Sequence, residues 1–85
     1  MINLDKDSKA VYIGKMTESL PVLRATLNIT QQDLGECVGV TRQTIAAVEN
    51  RRRPLTWSLF LALLYIFEKN ERARDMMRFL KVIDE

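Results

Sequence analysis

Residues 31–50, QQDLGECVGVTRQTIAAVEN, decide the fold of this chain. They read as two short helices joined by a glycine turn. Thr30 can cap the first helix, with Asp33 three residues on as the partner in a capping box. Leu34 and Val38 give that helix an inward edge at i, i+4 spacing. Gly35 lies between them and presents no side chain, which suits close passage of another helix. A helical glycine costs about 0.5–1 kcal/mol relative to alanine, so a packing reason is expected. Gly39 stands where helices end on a residue of positive φ. Thr41 can cap the second helix, whose Ile45, Val48 and Glu49 turn toward the body. Arg42, Gln43, Thr44, Ala46 and Ala47 are left facing out. The pattern is a helix-turn-helix offering a recognition helix to a DNA groove.

The stretch from Leu23 to about Phe67 resembles the Cro/C1-type, or Xre-like, helix-turn-helix repressors. The residues that carry the resemblance are Leu23-Arg24, Ile29 to Gln32, Leu34, Val38 to Ile45, Val48-Glu49-Asn50 and Pro54. The resemblance implies an all-α fold, a compact five-helix bundle of the lambda-repressor-like DNA-binding type. It also implies an ion pair between Arg24 of helix 1 and Glu49 at the end of helix 3. Two departures stand out. Gly35 replaces the usual alanine, and the loop Arg51-Arg52-Arg53-Pro54 lacks the common glycine and is more basic than usual.

Eighty-five residues make one domain with a single modest core. A hydrophobic content of 47% and a charged content of 28% are ordinary for a globular chain. The formal charge of +2 is small, but its placement is informative. Residues 1–23 and 55–85 each balance to zero, so the whole excess falls in 24–54, in or beside the helix-turn-helix. A localised basic patch is the electrostatic footprint of a DNA reader.

Arginine can take guanine O6 and N7 together, and glutamine can do the same for adenine N6 and N7. Arg42 and Gln43 in the first turn of helix 3 are therefore the expected base readers. Thr44, Ala46 and Ala47 allow close approach, and an alanine can touch a thymine methyl. The resemblance gives Gln31, at the start of helix 2, and Asn50, at the end of helix 3, as phosphate contacts. Thr41 and the cations Arg51, Arg52 and Arg53 complete the expected phosphate set. The plainer readings are a surface glutamine, a helix C-cap and a solvated charge run.

Outside this unit, residues 1–15 read as an arm or a tail. Val11, Tyr12 and Ile13 form an apolar patch that packs back or meets another chain. Met16, Leu20, Leu23 and Leu27 recur at helical spacing, but Pro21 interrupts them. Regular helix is expected to begin near Ser19 to Pro21, or to be kinked there. The helix-turn-helix domain is placed at 16–69 and a C-terminal helix, as a dimerisation element, at 70–85. Thr56 can cap helix 4, whose run from Trp57 to Phe67 is apolar except for Ser58. A helix apolar all round is buried on more than one side. In so small a domain that points to a homodimer through Trp57, Phe60, Leu64, Phe67, Met76, Phe79 and Leu80. Helix 5 starts at Asn70, with Met76, Phe79, Leu80 and Ile83 as its expected apolar stripe.

The chain has no histidine and one cysteine, Cys37, and no glycine-rich phosphate loop. It offers neither a metal site nor enzyme chemistry, and no cofactor or small-molecule substrate is expected. The single cysteine fits a reducing compartment. Charges interrupt the N-terminal stretch, and the longest apolar run, Leu59 to Phe67, is nine residues. A membrane span needs roughly 20. The expectation is a cytoplasmic protein whose partner is double-stranded DNA. The leading reading is a homodimeric repressor on a palindromic operator. The alternatives are an antitoxin that binds a toxin protein and autoregulates its operon, and an interaction module without DNA binding.

Overall fold

The carboxylate of Asp5 accepts the backbone N–H of Ser8 at 2.8 Å and opens helix α1, Lys6–Leu27. Helices α2 (Gln31–Val38), α3 (Arg42–Glu49), α4 (Trp57–Glu68) and α5 (Glu71–Phe79) follow in a computed structural model that describes residues 4–83. No strand occurs among the described residues. The fold is the expected all-helical, lambda-repressor-like bundle.

The length of α1 corrects the sequence reading. Residues 6–15 are neither arm nor tail but the first half of the helix, which runs unbroken past Pro21. An interior proline forfeits a hydrogen bond and costs about 3 kcal/mol. Burial offsets that cost, at about 1.5–3 kcal/mol for each large side chain. Tyr12, Met16, Leu20 and Leu23 line the inward face, at most 5% exposed, while Pro21 lies on the outward one. The first half is held by partners far along the chain. The Tyr12 ring stacks on Phe60 with centroids 6.3 Å apart, and Lys9 Nζ sits 5.1 Å above the Trp57 ring. Asn28 ends the helix in the left-handed region at φ 56°. Its N–H donates to Ala25 O, and Ile29 N–H donates to Arg24 O, which closes a Schellman turn.

Helix α4 is sided despite its uniform apolarity. Phe60, Leu63 and Phe67, at i, i+3 and i+7, are fully buried, and the Trp57 and Phe60 rings stack at 4.8 Å. Phe60 and Phe67, expected at a dimer interface, are instead buried in the chain's own core. Leu61 and Tyr65 face out instead, at 43% and 61% exposure.

Helix α5 is rotated from its expected face. Ala73 and Met77 point inward, followed by Val82, whereas Phe79 is 81% exposed. Met76 and Leu80 are half-buried. The helix stops at Phe79, so Ile83 is not part of its stripe. A second Schellman turn ends it. Lys81 takes φ 56°, its N–H donates to Arg78 O, and Val82 N–H donates to Met77 O. The motif favours an apolar contact between just these last two positions, and both are buried. The α5 face packs on α1 and α4, α3 packs on α2 and α1, and one continuous core joins all five helices.

Candidate nucleic-acid interface

The local chemistry of the helix-turn-helix is as the sequence foretold. The Thr30 hydroxyl accepts Asp33 N–H and the Asp33 carboxylate accepts Thr30 N–H, each at 3.0 Å. The Thr30 N–H, and after it the Thr30 side chain, hold the Asp33 carboxyl below the usual range for an aspartate. Thr41 caps α3 by accepting Thr44 N–H at 3.2 Å, and Gly39 takes φ 79°.

Gly35 is needed for close approach, but the neighbour differs from expectation. A Cβ there would lie 2.6 Å from the carbonyl oxygen of Val40. The turn between α2 and α3, rather than another helix, folds down onto the glycine. Val40 N–H donates back to Gly35 O at 2.9 Å. The glycine therefore sets the spacing of the two helices at their joint.

Ile45 and Val48 are buried and fasten α3 to the body. Glu49 adds a directional tie. Arg24 Nε donates to Glu49 Oε2 at 2.7 Å and Arg24 Nη2 to Oε1 at 3.0 Å, a two-point fork. Arg24 Nη1 also donates to Ile29 O at 3.2 Å. The hydrogen bond to Glu49 raises the already high pKa of Arg24, so the guanidinium stays charged at any working pH. Gln31 Nε2 donates to the same Glu49 Oε1 at 3.0 Å. Sequence reasoning missed that bond, and it fixes the side chain expected at a phosphate. One of the two amide hydrogens remains free for that use.

With α3 held on its inner side, its first turn is presented outward. Arg42 and Gln43 are exposed; Thr44, Ala46 and Ala47 are half-buried along the same helix. The loop that follows is exposed from Asn50 through Pro54. Asn50 serves as the C-cap, and its Oδ1 accepts Arg52 N–H at 3.1 Å. Arg51 takes the left-handed conformation, φ 65°, at the loop that lacks the usual glycine. Arg52 and Arg53 both donate their backbone N–H to Ala47 O, at 2.9 and 3.2 Å. Arg42 and Gln43 are thus exposed on the first turn of one short helix, and the three exposed loop arginines follow directly on its end, with Arg53 reaching back to Thr44. The fork of Arg24 and Glu49 ties down the last turn of that helix.

A family profile described as helix-turn-helix matches residues 23–63, the span from the end of α1 into α4. An uncharacterized HTH-type transcriptional regulator of Bacillus subtilis (strain 168), YgzD, is 48% identical over 48 residues. That alignment covers 56% of this chain and 70% of the relative. The chain belongs to the Cro/C1-type, Xre-like helix-turn-helix family. As a member it is a DNA-binding transcriptional regulator, and the exposed face of α3 is where the fold places a recognition helix. No solved structure matches this regulator significantly. No described helix is long and apolar enough to cross a membrane. No cluster of potential metal ligands occurs among the described residues.

Proposed function

We propose that this regulator is a repressor that reads a palindromic operator as a homodimer, with Arg42 and Gln43 as the base-reading residues. One observation carries the reading. The two side chains best suited to bidentate base recognition are exposed on the first turn of a helix that Ile45 and Val48 fasten to the core and whose last turn Arg24 ties down through Glu49. Thr44, Ala46 and Ala47 line the same approach. Phosphates would be met by the start of α2 at Gln31, by Thr41 and Asn50, and by the loop cations.

We place the dimer face on the outer side of α4 and α5. Leu61, Tyr65 and Phe79 are the large apolar side chains exposed there, and Trp57, Leu64, Met76 and Leu80 are half-covered beside them. Apolar groups left in water on adjacent helices mark an interaction site. A two-fold dimer would set its recognition helices roughly 34–36 Å apart, one turn of duplex.

Selection of bound sequences from a random DNA pool tests the whole reading. An inverted repeat with half-sites one helical turn apart is the expected product. Alanine at Arg42 or Gln43 should then lose about 1–3 kcal/mol on that sequence and relax choice at one base pair per half-site. Equal losses on random DNA would reassign both residues to the backbone. Sedimentation at micromolar concentration should give twice the chain mass, and Phe79→Ser should lower it. Recovery of a second, unrelated chain bound to that face would favour the antitoxin role instead.

A further inference from the structure

Arg51, Arg52 and Arg53 are one charge run in sequence, but the structure gives the last of them a different task. Arg53 turns back across the loop, and its Nη1 donates to Thr44 Oγ1 at 3.3 Å. Thr44 Oγ1 also lies 3.1 Å from Thr41 Oγ1, which in turn accepts Thr44 N–H. No other loop arginine side chain has a bond to the recognition helix among the described residues. Thr44 and Arg53 share the rim of a groove of about 330 Å³ that runs from the turn to Thr56 and Ser58 at the start of α4.

We infer that Arg53 is a specificity-positioning residue, which acts on base choice by holding the Thr44 hydroxyl in one orientation. The inference rests on the reading of α3 as the base-reading helix. A threonine hydroxyl has one proton and two lone pairs, and it rotates to suit its neighbours. Left alone it accepts from a base amino group as readily as it donates to a base carbonyl, so it discriminates little. A guanidinium can only donate. Arg53 therefore occupies one lone pair of Thr44, a donation from the adjacent Thr41 hydroxyl fills the second, and the Thr44 proton is left to donate. That favours base edges rich in acceptors, such as guanine N7 and O6 or thymine O4, over the amino edge of cytosine. The other N–H donors of the Arg53 side chain have no partner among the described residues and can meet a phosphate, which would lock the arrangement as DNA arrives.

The distinguishing variant is Arg53→Lys, which keeps the charge but replaces a rigid planar fork with a flexible point donor. Binding is measured on the selected operator and on random DNA across a salt series. The expected result is a fall of about threefold to tenfold in the ratio of the two affinities, the range set by loss of one modest hydrogen bond. The slope of log K against log salt should not change, because the cation remains. Thr44→Val should lower the ratio similarly, and Arg53→Lys should add nothing in that background. Arg52→Gln is the contrast. It should weaken both DNAs alike and flatten the slope by about 0.9.

An unchanged ratio in Arg53→Lys, or additive losses in the double variant, overturns the inference. If Arg42→Ala also leaves the ratio unchanged, the base-reading role of α3 itself has failed. If Arg42→Ala lowers the ratio and Arg53→Lys does not, only the role of Arg53 has failed. Thermal melts of each variant separate misfolding from recognition, since Arg53 is exposed and lies outside the core.

Discussion

Replacing Arg24 with methionine should destabilise this regulator by about 2–3 kcal/mol, more than an exposed ion pair and less than a fully buried one. The figure follows from the geometry. Exposed pairs contribute about 0–1 kcal/mol, and breaking a buried pair costs about 3–5. Here the Arg24 side chain is 20% exposed and that of Glu49 only 9%. The fork is two-point, which raises its worth above a single contact. Without Arg24, the Glu49 carboxylate keeps Gln31 as its one partner and stays largely out of water, while the carbonyl of Ile29 loses a donor. A domain of this size has roughly 4–13 kcal/mol in total, at about 0.05–0.15 per residue. The loss is therefore a sizeable fraction, and the midpoint of thermal unfolding should fall by roughly 8–24 °C. Urea and thermal denaturation of Arg24→Met, Glu49→Gln and the double variant form the cycle. The double variant should be more stable than the two single losses summed, because it leaves no unpaired charge. Strict additivity, or a cost below about 0.5 kcal/mol for Arg24→Met, would show that the pair behaves as a surface contact and does not anchor α3.

Gly14 sits exposed in the middle of α1, and a Cβ there would meet nothing within 4 Å. Gly14→Ala should therefore raise stability by about 0.5–1 kcal/mol, read as a higher denaturation midpoint. Arg51→Gly should also stabilise the fold, by about 0.5–1 kcal/mol, since it relieves the left-handed strain but frees the unfolded chain. The same variant should bind all DNA more weakly with a salt slope lower by about 0.9 if Arg51 meets a phosphate. The depressed pKa of Asp33 stabilises the fold above the ordinary aspartate value of 3.8, and this contribution is lost as pH falls below it. Asp33→Asn should accordingly flatten the acid limb of a stability–pH profile, and an unchanged limb would place the acid sensitivity elsewhere.

Local chemistry makes the helix-turn-helix legible in the sequence. Thr30, Thr41, Thr56 and Asn70 each accept the N–H three residues on, as capping residues do. The resemblance supplied the pairing of Arg24 with Glu49, which lies 25 residues across the chain. What escaped depended on contacts that no short window contains. The first half of α1 is a helix because Lys9 and Tyr12 meet Trp57 and Phe60. The run from Trp57 to Phe67 has no period to reveal its inner side, so only packing shows that Phe60 and Phe67 face in. On α5 the small Ala73 lies on the buried face, which turns Phe79 outward against its hydrophobicity. The link from Gln31 to Glu49 and that from Arg53 to Thr44 join polar residues whose types fit many partners.

Helices α1 and α5 are the first and last of the bundle, yet they lie against each other. The side chains proposed to meet DNA end at Arg53, whereas the core is not complete until Met77 and Val82 are in place. The reading surface and the cooperative unit thus have different lengths. Contacts within α2 and α3 span few residues and form early, while the α1–α5 contact spans most of the chain and is the slow kind of closure. A fragment cut after α4 would carry every residue of the recognition motif and lack the cover that keeps it folded. The motif can be transplanted among relatives only together with its distant clamp, and mutations in that clamp should alter DNA occupancy through the amount of folded protein, without touching affinity.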